Sequence, residues 1–165
     1  MPQYPADHNE FMLAIKGQVC YRERMIIRVY NPITDYSSVE ALYKDSSTFG
    51  GQFDQARDSE ERLKDLIEKK PDAILVAEDK GEIIGTVTLF EDGRSAWLYR
   101  FAVKGNAQAD VISALWAKAR EILKQKGHTQ VLVYAPVNNK DFEDRYTQLG
   151  FIKGNDFTAY WQDLG

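Results

Sequence analysis

Residues 73–103 constrain the fold most, because they read as three consecutive strands joined by two short turns. The stretch AILVA at 73–77 is continuous and apolar, and IIGTVTLF at 83–90 is rich in β-branched side chains. The turns DKGE and DG separate these two stretches from each other and from AWLYRFAV at 96–103. Turn residues of this kind between strands predict hairpins. We therefore expect an antiparallel meander on which the other elements pack.

Hydrophobic periodicity predicts the elements on either side of the meander. They are strands at 25–30, 131–135 and 157–161 and helices at 35–45, from 59 to Pro71, from about 109 to Gly127, and at 139–149, with a flexible connection at 46–52. The predicted order is β-α-α-β-β-β-α-β-α-β. A right-handed crossover then places 96–103 parallel to 131–135. The sequence thus predicts an α/β (α+β) class, with one mixed, mostly antiparallel sheet and helices on both faces.

A chain of 165 residues fits one domain. Residues 1–24 stand apart as an N-terminal extension, in which the short run FMLAI fits a helix or a strand, and 25–165 form the predicted domain. The formal net charge of −4 argues against a nucleic-acid partner. A single cysteine and two histidines argue against a metal site and a disulfide. We expect no membrane partner, because the apolar runs are short, and a cytoplasmic location.

Three local patterns resemble the GNAT superfamily of N-acyltransferases, which use acetyl-CoA. The first is the acidic-glycine hairpin followed by Ile84-Gly85, and the second is the helix ending ALWAKAREILKQKG. The third runs from Asn139 to Phe151 and matches the family ending N-x6-Y-x-x-L-G-F. The resemblance covers about 25–161 and implies a GNAT-like domain with acetyl-CoA as co-substrate and no metal.

The resemblance also implies roles for individual residues. Tyr146 matches the tyrosine that often protonates the thiolate leaving group. The residues implied to bind the cofactor are Phe101, Ala102 and Val103 on the strand, Gln108, Asp110 and Val111 at the start of the following helix, and Asn139. The start of that helix would hold the pyrophosphate, since free N–H groups and the helix dipole favour anions there.

The chain departs from the family at this helix start. The usual signature is Q/R-x-x-G-x-G/A, but two registers place Asp110 and Ile112, or Val111 and Ser113, on the glycine positions. Asp110 suits a helix start but repels phosphate. Lys104 could offset part of that repulsion. A second gap is the general base, for which strand 96–103 offers no acid and Glu78, Glu91 and Asp92 lie near strand ends.

Several singled-out residues also have structural interpretations. Tyr146 could pack on the sheet, and Asn139 could be only an N-cap. A core role is favoured for the aromatic residues Trp97, Tyr99, Phe101 and Trp116. We expect Arg100 to pair with a carboxylate on a neighbouring strand rather than to face the acceptor. We expect Gly85 to mark a bulge or close approach, and His128 to be solvated.

The sequence therefore predicts an N-acetyltransferase acting on the amine of a small-molecule or peptide acceptor. The alternative is a non-catalytic GNAT-like domain that serves as a binding or interaction module, which the absent glycines favour. A homodimer is left open.

Overall fold

A five-stranded sheet with the strand order β1-β2-β3-β4-β5 organises the chain. The computed structural model describes residues 25–45, 53–105, 109–160 and 162–164. The predicted N-terminal extension, the connection at 46–52 and Gln108 lie outside these residues. The elements are β1 Ile26–Val29, α1 Tyr36–Lys44, α2 Gln55–Asp58, α3 Glu60–Lys69, β2 Ile74–Asp79, β3 Glu82–Glu91, β4 Ala96–Val103, α4 Ala109–Gln125, β5 Leu132–Val133 and α5 Lys140–Gln148.

The predicted meander is confirmed by the pairing of the strands. The ladders β1–β2, β2–β3 and β3–β4 are antiparallel. Lys80 and Gly81 connect β2 to β3 with φ values of 52° and 80°, as a type I′ hairpin turn requires. The β4–β5 ladder is parallel and contains the pairs Trp97–Leu132 and Leu98–Val133. The crossover through α4 therefore makes β4 and β5 parallel neighbours, as the element order predicts.

The two faces of the sheet are covered by different helices. On one face, Leu75 and Ala77 of β2 belong to a buried cluster that includes the apolar stripe of α4 and Tyr146 of α5. Ile74 and Val76 belong to a second cluster, with residues of α1 and α3. Because successive strand residues point to opposite faces, β2 is buried on both sides. The predicted fold class, with helices on both faces, is confirmed.

The structure differs from the prediction in two elements. The short helix α2 was not predicted, and the Asp54 side chain starts it by accepting a hydrogen bond from Ala56 N at 2.9 Å. Residues 157–160 form no strand, and Trp161 lies outside the described residues. Phe157 and Tyr160 are 75% and 91% exposed. A strand requires a paired neighbour, and a β-prone composition alone does not supply one.

Two predicted environments are wrong. Tyr99 is 42% exposed rather than in the core, and its ring centre lies 4.9 Å from Cζ of the Arg100 guanidinium. The side chain of His128 is only 5% exposed, and its Nε2 lies 3.5 Å from Glu91 Oε2. The turn that ends α4 brings this side chain under the end of β3, where sequence periodicity gives no signal.

Candidate active site

A bulge divides β4 into two halves. Thr86 pairs with Ala102 and Thr88 pairs with Tyr99, so the two residues Arg100 and Phe101 oppose a single residue of β3. Arg100 takes the left-handed conformation, with φ of 48°, which is uncommon for a residue with a side chain. Such a bulge bends the strand and increases its local twist.

The ladder between β4 and β5 ends just before this bulge. Its last pair is Leu98–Val133, whereas β4 continues to Val103 and stays paired there with Gly85 of β3. The second half of β4 therefore forms no ladder with β5. A short parallel ladder followed by a bulge is the arrangement expected where the two strands splay apart. The predicted cofactor-binding residues Phe101, Ala102 and Val103 make up this second half.

A buried ion pair supports the bulge from the α1 face. Arg100 Nε and Nη2 donate to the two carboxylate oxygens of Asp58 at 3.1 and 2.6 Å, and the two side chains are 8% and 3% exposed. Asp58 also accepts from Asp54 N at 2.9 Å. Pairing with a carboxylate is confirmed for Arg100, but the expected position of that carboxylate on a neighbouring strand is wrong, since Asp58 lies on α2. Removing one member of such a pair leaves a buried charge, at a cost of about 3–5 kcal/mol.

Gly85 lets α4 approach the sheet next to the second half of β4. A Cβ atom on Gly85 would lie 3.0 Å from Leu115 Cδ1, 3.1 Å from Val111 Cγ1 and 3.2 Å from Val103 Cγ1. A register shift between Ala77 and Glu78 lies beside it, so the expected bulge and close approach are both present. Val111 is 5% exposed, and its side chain belongs to the core. Only the backbone of Val111 remains for a ligand.

The start of α4 carries a negative side chain. The helix begins at Ala109, and Asp110 lies exposed in its first turn. The first four N–H groups of a helix have no carbonyl partner within it, so this end can attract an anion while Asp110 repels one. Lys104 does not offset that repulsion, since its Nζ forms an ion pair with Glu82.

The signature residues of α5 cap both of its ends. Asn139 is the N-cap, and its side chain accepts from Phe142 N at 3.4 Å. At the other end Phe151 N donates to Tyr146 O at 2.9 Å, and Gly150 N donates to Thr147 O at 3.0 Å. Gly150 has φ of 86°. This is a Schellman motif. The residues of the pattern Y-x-x-L-G-F therefore also supply the hydrogen bonds that cap the C-terminal end of α5.

Tyr146 is buried among apolar and aromatic groups. It is 8% exposed and belongs to the same cluster as Phe101 and Val103. Its ring meets Phe151 edge-on at 5.6 Å and lies 6.3 Å from the Phe142 ring. Burial raises the pKa of the Tyr146 phenol well above its usual range. The hydroxyl therefore keeps its proton at neutral pH, as a proton donor must.

A cleft of about 130 Å³ opens between the start of α4 and the end of α5. It is lined by Ala109, Ile112, Ser113, Arg145, Gln148 and Leu149. Beside the cleft, Trp116 Nε1 donates to Leu149 O at 3.1 Å, and the Trp116 ring packs on Phe151 at 4.8 Å between ring centres with a tilt of 42°. Arg145 of this cleft was not singled out in the sequence. Its position directly before Tyr146 carries no signature residue type.

The family model for the GNAT acetyltransferases matches residues 37–151. The chain belongs to this family. No curated protein sequence matches it.

Solved structures share the fold at low sequence identity. An aminoglycoside 6′-N-acetyltransferase from Acinetobacter baumannii gives a TM-score of 0.66 at 17% identity. The match covers 86% of this chain and 100% of that one. The PaiA N-acetyltransferase from Thermoplasma acidophilum, solved in complex with coenzyme A, gives 0.63 at 20% identity, covering 76% and 87%. A Pyrococcus horikoshii protein gives 0.59 at 17% identity, covering 86% and 47%. This chain thus spans about half the length of the last protein.

The three acids that the sequence singles out near strand ends of this GNAT domain are engaged by cations or by backbone. Glu78 pairs with Arg28 at 2.7 Å. Glu91 pairs with Lys70 at 3.0 Å. Hydrogen bonds from the backbone of Ser95 and Arg94 hold the pKa of Asp92 far below its usual range. None of these three acids therefore stands ready to accept a proton from a substrate.

The described part of the chain contains no group of three or more His, Cys, Asp or Glu side chains arranged to hold a metal ion. Within the same residues, the GNAT domain has no helix that is long and apolar enough to cross a membrane.

Proposed function

We propose that this chain is a cytoplasmic N-acetyltransferase that moves an acetyl group from acetyl-CoA to the amine of a small-molecule or peptide acceptor. Membership of the GNAT family supports the reaction class. The observation that carries the proposal is that the β4–β5 ladder ends just before the Arg100 bulge. From Tyr99 onward, β4 is therefore not paired with β5. An extended cofactor arm could lie along that half of β4.

Two features of the chain fit acetyl-CoA. Backbone groups of Phe101, Ala102 and Val103 would hold the pantetheine arm, with Asn139 at its side. The N–H groups at the start of α4, from Asp110 and Val111, would face the pyrophosphate. The cleft beside them has room for a small anion, because a cavity of about 10–15 Å³ already holds one water molecule. Gln108 belongs to this proposed set by sequence alone.

The proposed chemistry uses Tyr146 as the general acid. Acetyl-CoA supplies the acetyl group as an activated thioester. The amine nitrogen forms a bond to the carbonyl carbon, the carbon–sulfur bond breaks, and Tyr146 Oη gives its proton to the departing sulfur. The proton lost by the amine passes to water, and Tyr146 is reprotonated from water.

Water is the proposed proton acceptor because the nearby acids are occupied. Both oxygens of Asp58 accept hydrogen bonds from Arg100. The second half of β4 itself carries Phe101, Ala102 and Val103, which are apolar. We therefore expect the rate to rise with pH as the fraction of neutral acceptor amine rises, without a second ionisation from a protein acid.

Thermal unfolding with acetyl-CoA, followed by an assay for free CoA thiol, tests the proposal. Saturating acetyl-CoA at one hundred times its Kd should stabilise the fold by about 2.7 kcal/mol. Thiol release should then depend on an added amine, taken from an aminoglycoside, a polyamine and a peptide with a free N-terminus. Stabilisation without thiol release for any amine would argue against catalysis.

The alternative is a GNAT-like domain that binds a partner and performs no transfer. The observation that favours it is the start of α4, where Asp110 stands in the first turn and the loop glycines are absent. A chain of this kind would show no stabilisation by acetyl-CoA. The thermal experiment therefore separates the two functions before any acceptor is known.

A further inference from the structure

The bulge in β4 has an unusual residue at its first position. Arg100 and Phe101 oppose a single residue of β3, and Arg100 has φ of 48°. A bulge whose first residue is left-handed ordinarily has glycine there, because a Cβ atom disfavours that conformation. The classic bulge, with its first residue near the right-handed helical region, would accommodate the same extra residue. The left-handed form at Arg100 therefore needs support from outside the strand.

The side chain of Arg100 supplies this support, because it is held in one orientation. Its Nε and Nη2 donate to the two carboxylate oxygens of Asp58, and a planar guanidinium paired in this way has little rotational freedom. Its Cζ also lies 4.9 Å from the ring centre of Tyr99 and 5.8 Å from that of Tyr43. Both distances are within the roughly 6 Å of a cation–π contact. Fixing the guanidinium restricts the backbone of Arg100.

Asp58 is itself held by groups that lie outside β4. Its Oδ2 accepts from Asp54 N at 2.9 Å, and its carbonyl oxygen accepts from Tyr36 Oη of α1 at 3.4 Å. Helix α2 has only four residues, and so short a helix is not stable by itself. These tertiary contacts therefore keep Asp58 in place, and Asp58 attaches the layer of α1 and α2 to the bulge.

We propose that Asp58 is a positioning residue for cofactor binding: its ion pair holds Arg100 in the left-handed conformation and so fixes the course of β4 from Phe101 to Val103. This inference rests on the proposed function, because it assumes that acetyl-CoA lies along that part of β4. Asp58 acts through Arg100 and has no part in the chemical step.

Calorimetric titration of acetyl-CoA into the full chain tests the assignment with Asp58→Asn. Asparagine keeps the size of the side chain but replaces one acceptor oxygen with a donor, so the paired hydrogen bonds to Arg100 are lost. Without them, the left-handed form of a residue with a Cβ atom is disfavoured about 5- to 25-fold. Apparent affinity falls with the fraction of molecules in the competent form. The Kd should therefore rise by about the same factor.

Asp35→Asn is the matched control. The side chain of Asp35, like that of Asp58, is 3% exposed. It accepts from two guanidinium nitrogens of Arg28 at 2.6 and 3.0 Å and from Asn31 N at 2.7 Å. This pair links β1 to the start of α1, and β2 and β3 lie between β1 and β4. Asp35→Asn should lower the melting temperature as Asp58→Asn does, but its Kd should stay within about twofold of the parent.

Two double variants separate the backbone conformation from the ion pair. Asp58→Asn is combined with Arg100→Gly in one and with Arg100→Ala in the other, so neither protein keeps a buried unpaired charge. Glycine adopts the left-handed conformation about as readily as the right-handed one, so the first variant should bind within about threefold of the parent. The alanine variant should bind about as weakly as Asp58→Asn. Thermal unfolding shows that each protein is folded, and the double variants carry the test if Asp58→Asn is not.

Three results would overturn the assignment and leave the proposed function intact. The first is a Kd for Asp58→Asn that equals that of the parent. The second is an equal Kd in the glycine and alanine double variants, since the conformation of residue 100 would then not matter. The third is a rise in Asp35→Asn as large as in Asp58→Asn, which would assign the effect to lost stability. A parent protein that does not bind acetyl-CoA would overturn the proposed function and this inference together.

Discussion

Helix α5 and the start of α4 both face the proposed cofactor site, yet only α5 keeps its family signature. In α5 the signature residues also hold the helix together: Asn139 caps its first turn, and Tyr146 and Gly150 take part in the Schellman motif that ends it. At the start of α4 the family's glycines would serve backbone access alone. Asp110 is the better residue there for helix stability.

The difference shows that a matched signature and a lost one carry unequal information. Because capping alone can preserve the spacing in α5, the match there argues for the fold more strongly than for catalysis. At the start of α4 the change favours helix stability at the expense of backbone access, so it bears directly on cofactor binding. Whether the chain binds acetyl-CoA therefore depends mainly on the start of α4. Trp116 of α4 packs against the end of α5 and so joins the two regions.

The largest effect is expected from breaking that joint with Trp116→Ala. The substitution removes the ring packed on Phe151 and the hydrogen bond to Leu149 O. For a half-buried tryptophan we expect a loss of about 3 kcal/mol in the free energy of unfolding. Denaturant unfolding followed by circular dichroism measures it.

Trp116→Phe is the control, since it keeps an aromatic ring and loses only the indole N–H. Its cost should be about 1 kcal/mol. Equal losses in the two variants would mean that the hydrogen bond, and not the ring packing, joins α4 to α5.

The next effect tests whether Tyr146 does more than end a helix. Tyr146→Phe keeps the ring contacts with Phe142 and Phe151 and removes the proposed proton donor. We expect kcat to fall about 10- to 100-fold with an unchanged Kd for acetyl-CoA, because general acid catalysis contributes on this scale or more. Steady-state rates with the best acceptor amine give kcat, and calorimetry gives Kd.

Tyr43→Phe makes the same chemical change at a buried tyrosine of the other core cluster. It should leave kcat unchanged. If Tyr146→Phe and Tyr43→Phe lower stability alike and neither changes kcat, the role of Tyr146 is structural and the leaving thiolate needs no acid.

The fold was predictable because its strongest signals are local. The turn around Lys80 and Gly81 and the apolar stripe of α4 each define their element within a few residues. The short helix α2 escaped prediction because a four-residue helix shows no periodicity. The strand expected at 157–161 failed because pairing is a property of the neighbour as well as of the segment.

The candidate site was less predictable because its parts meet across the fold. Asp58 lies 42 residues before Arg100 in the chain, and nothing in its own segment indicates a buried partner. Arg145 and the start of α4 line the same cleft although they lie on different helices. Lys104 was the natural cation by sequence, being closest to the helix start, but its partner Glu82 lies on the adjacent strand.

Asn139 is expected to give a smaller effect with two separable parts. Asn139→Ala removes the cap of α5 and should cost about 1 kcal/mol of stability. Asn139→Ser keeps a capping oxygen and should restore most of that loss. If Asn139 also holds the pantetheine arm, the serine variant will remain stable but bind acetyl-CoA several-fold more weakly than the parent. Unchanged binding in Asn139→Ser would assign the residue to capping alone.

The smallest effect concerns Asp110, where stability and binding should move in opposite directions. Asp110→Asn keeps the size of the side chain and removes its charge from the first turn of α4. The helix loses a favourable dipole interaction of about 0.3–1 kcal/mol. Binding of CoA should nevertheless tighten by about three- to tenfold, because a charge near the phosphates is removed.

Glu121→Gln, the same kind of change far along α4, should alter neither quantity appreciably. The gain should shrink from low salt to 0.5 M salt, since screening weakens exposed charge interactions. Tightening that is independent of salt would exclude charge repulsion as its cause, and no tightening at all would show that Asp110 faces away from the phosphates.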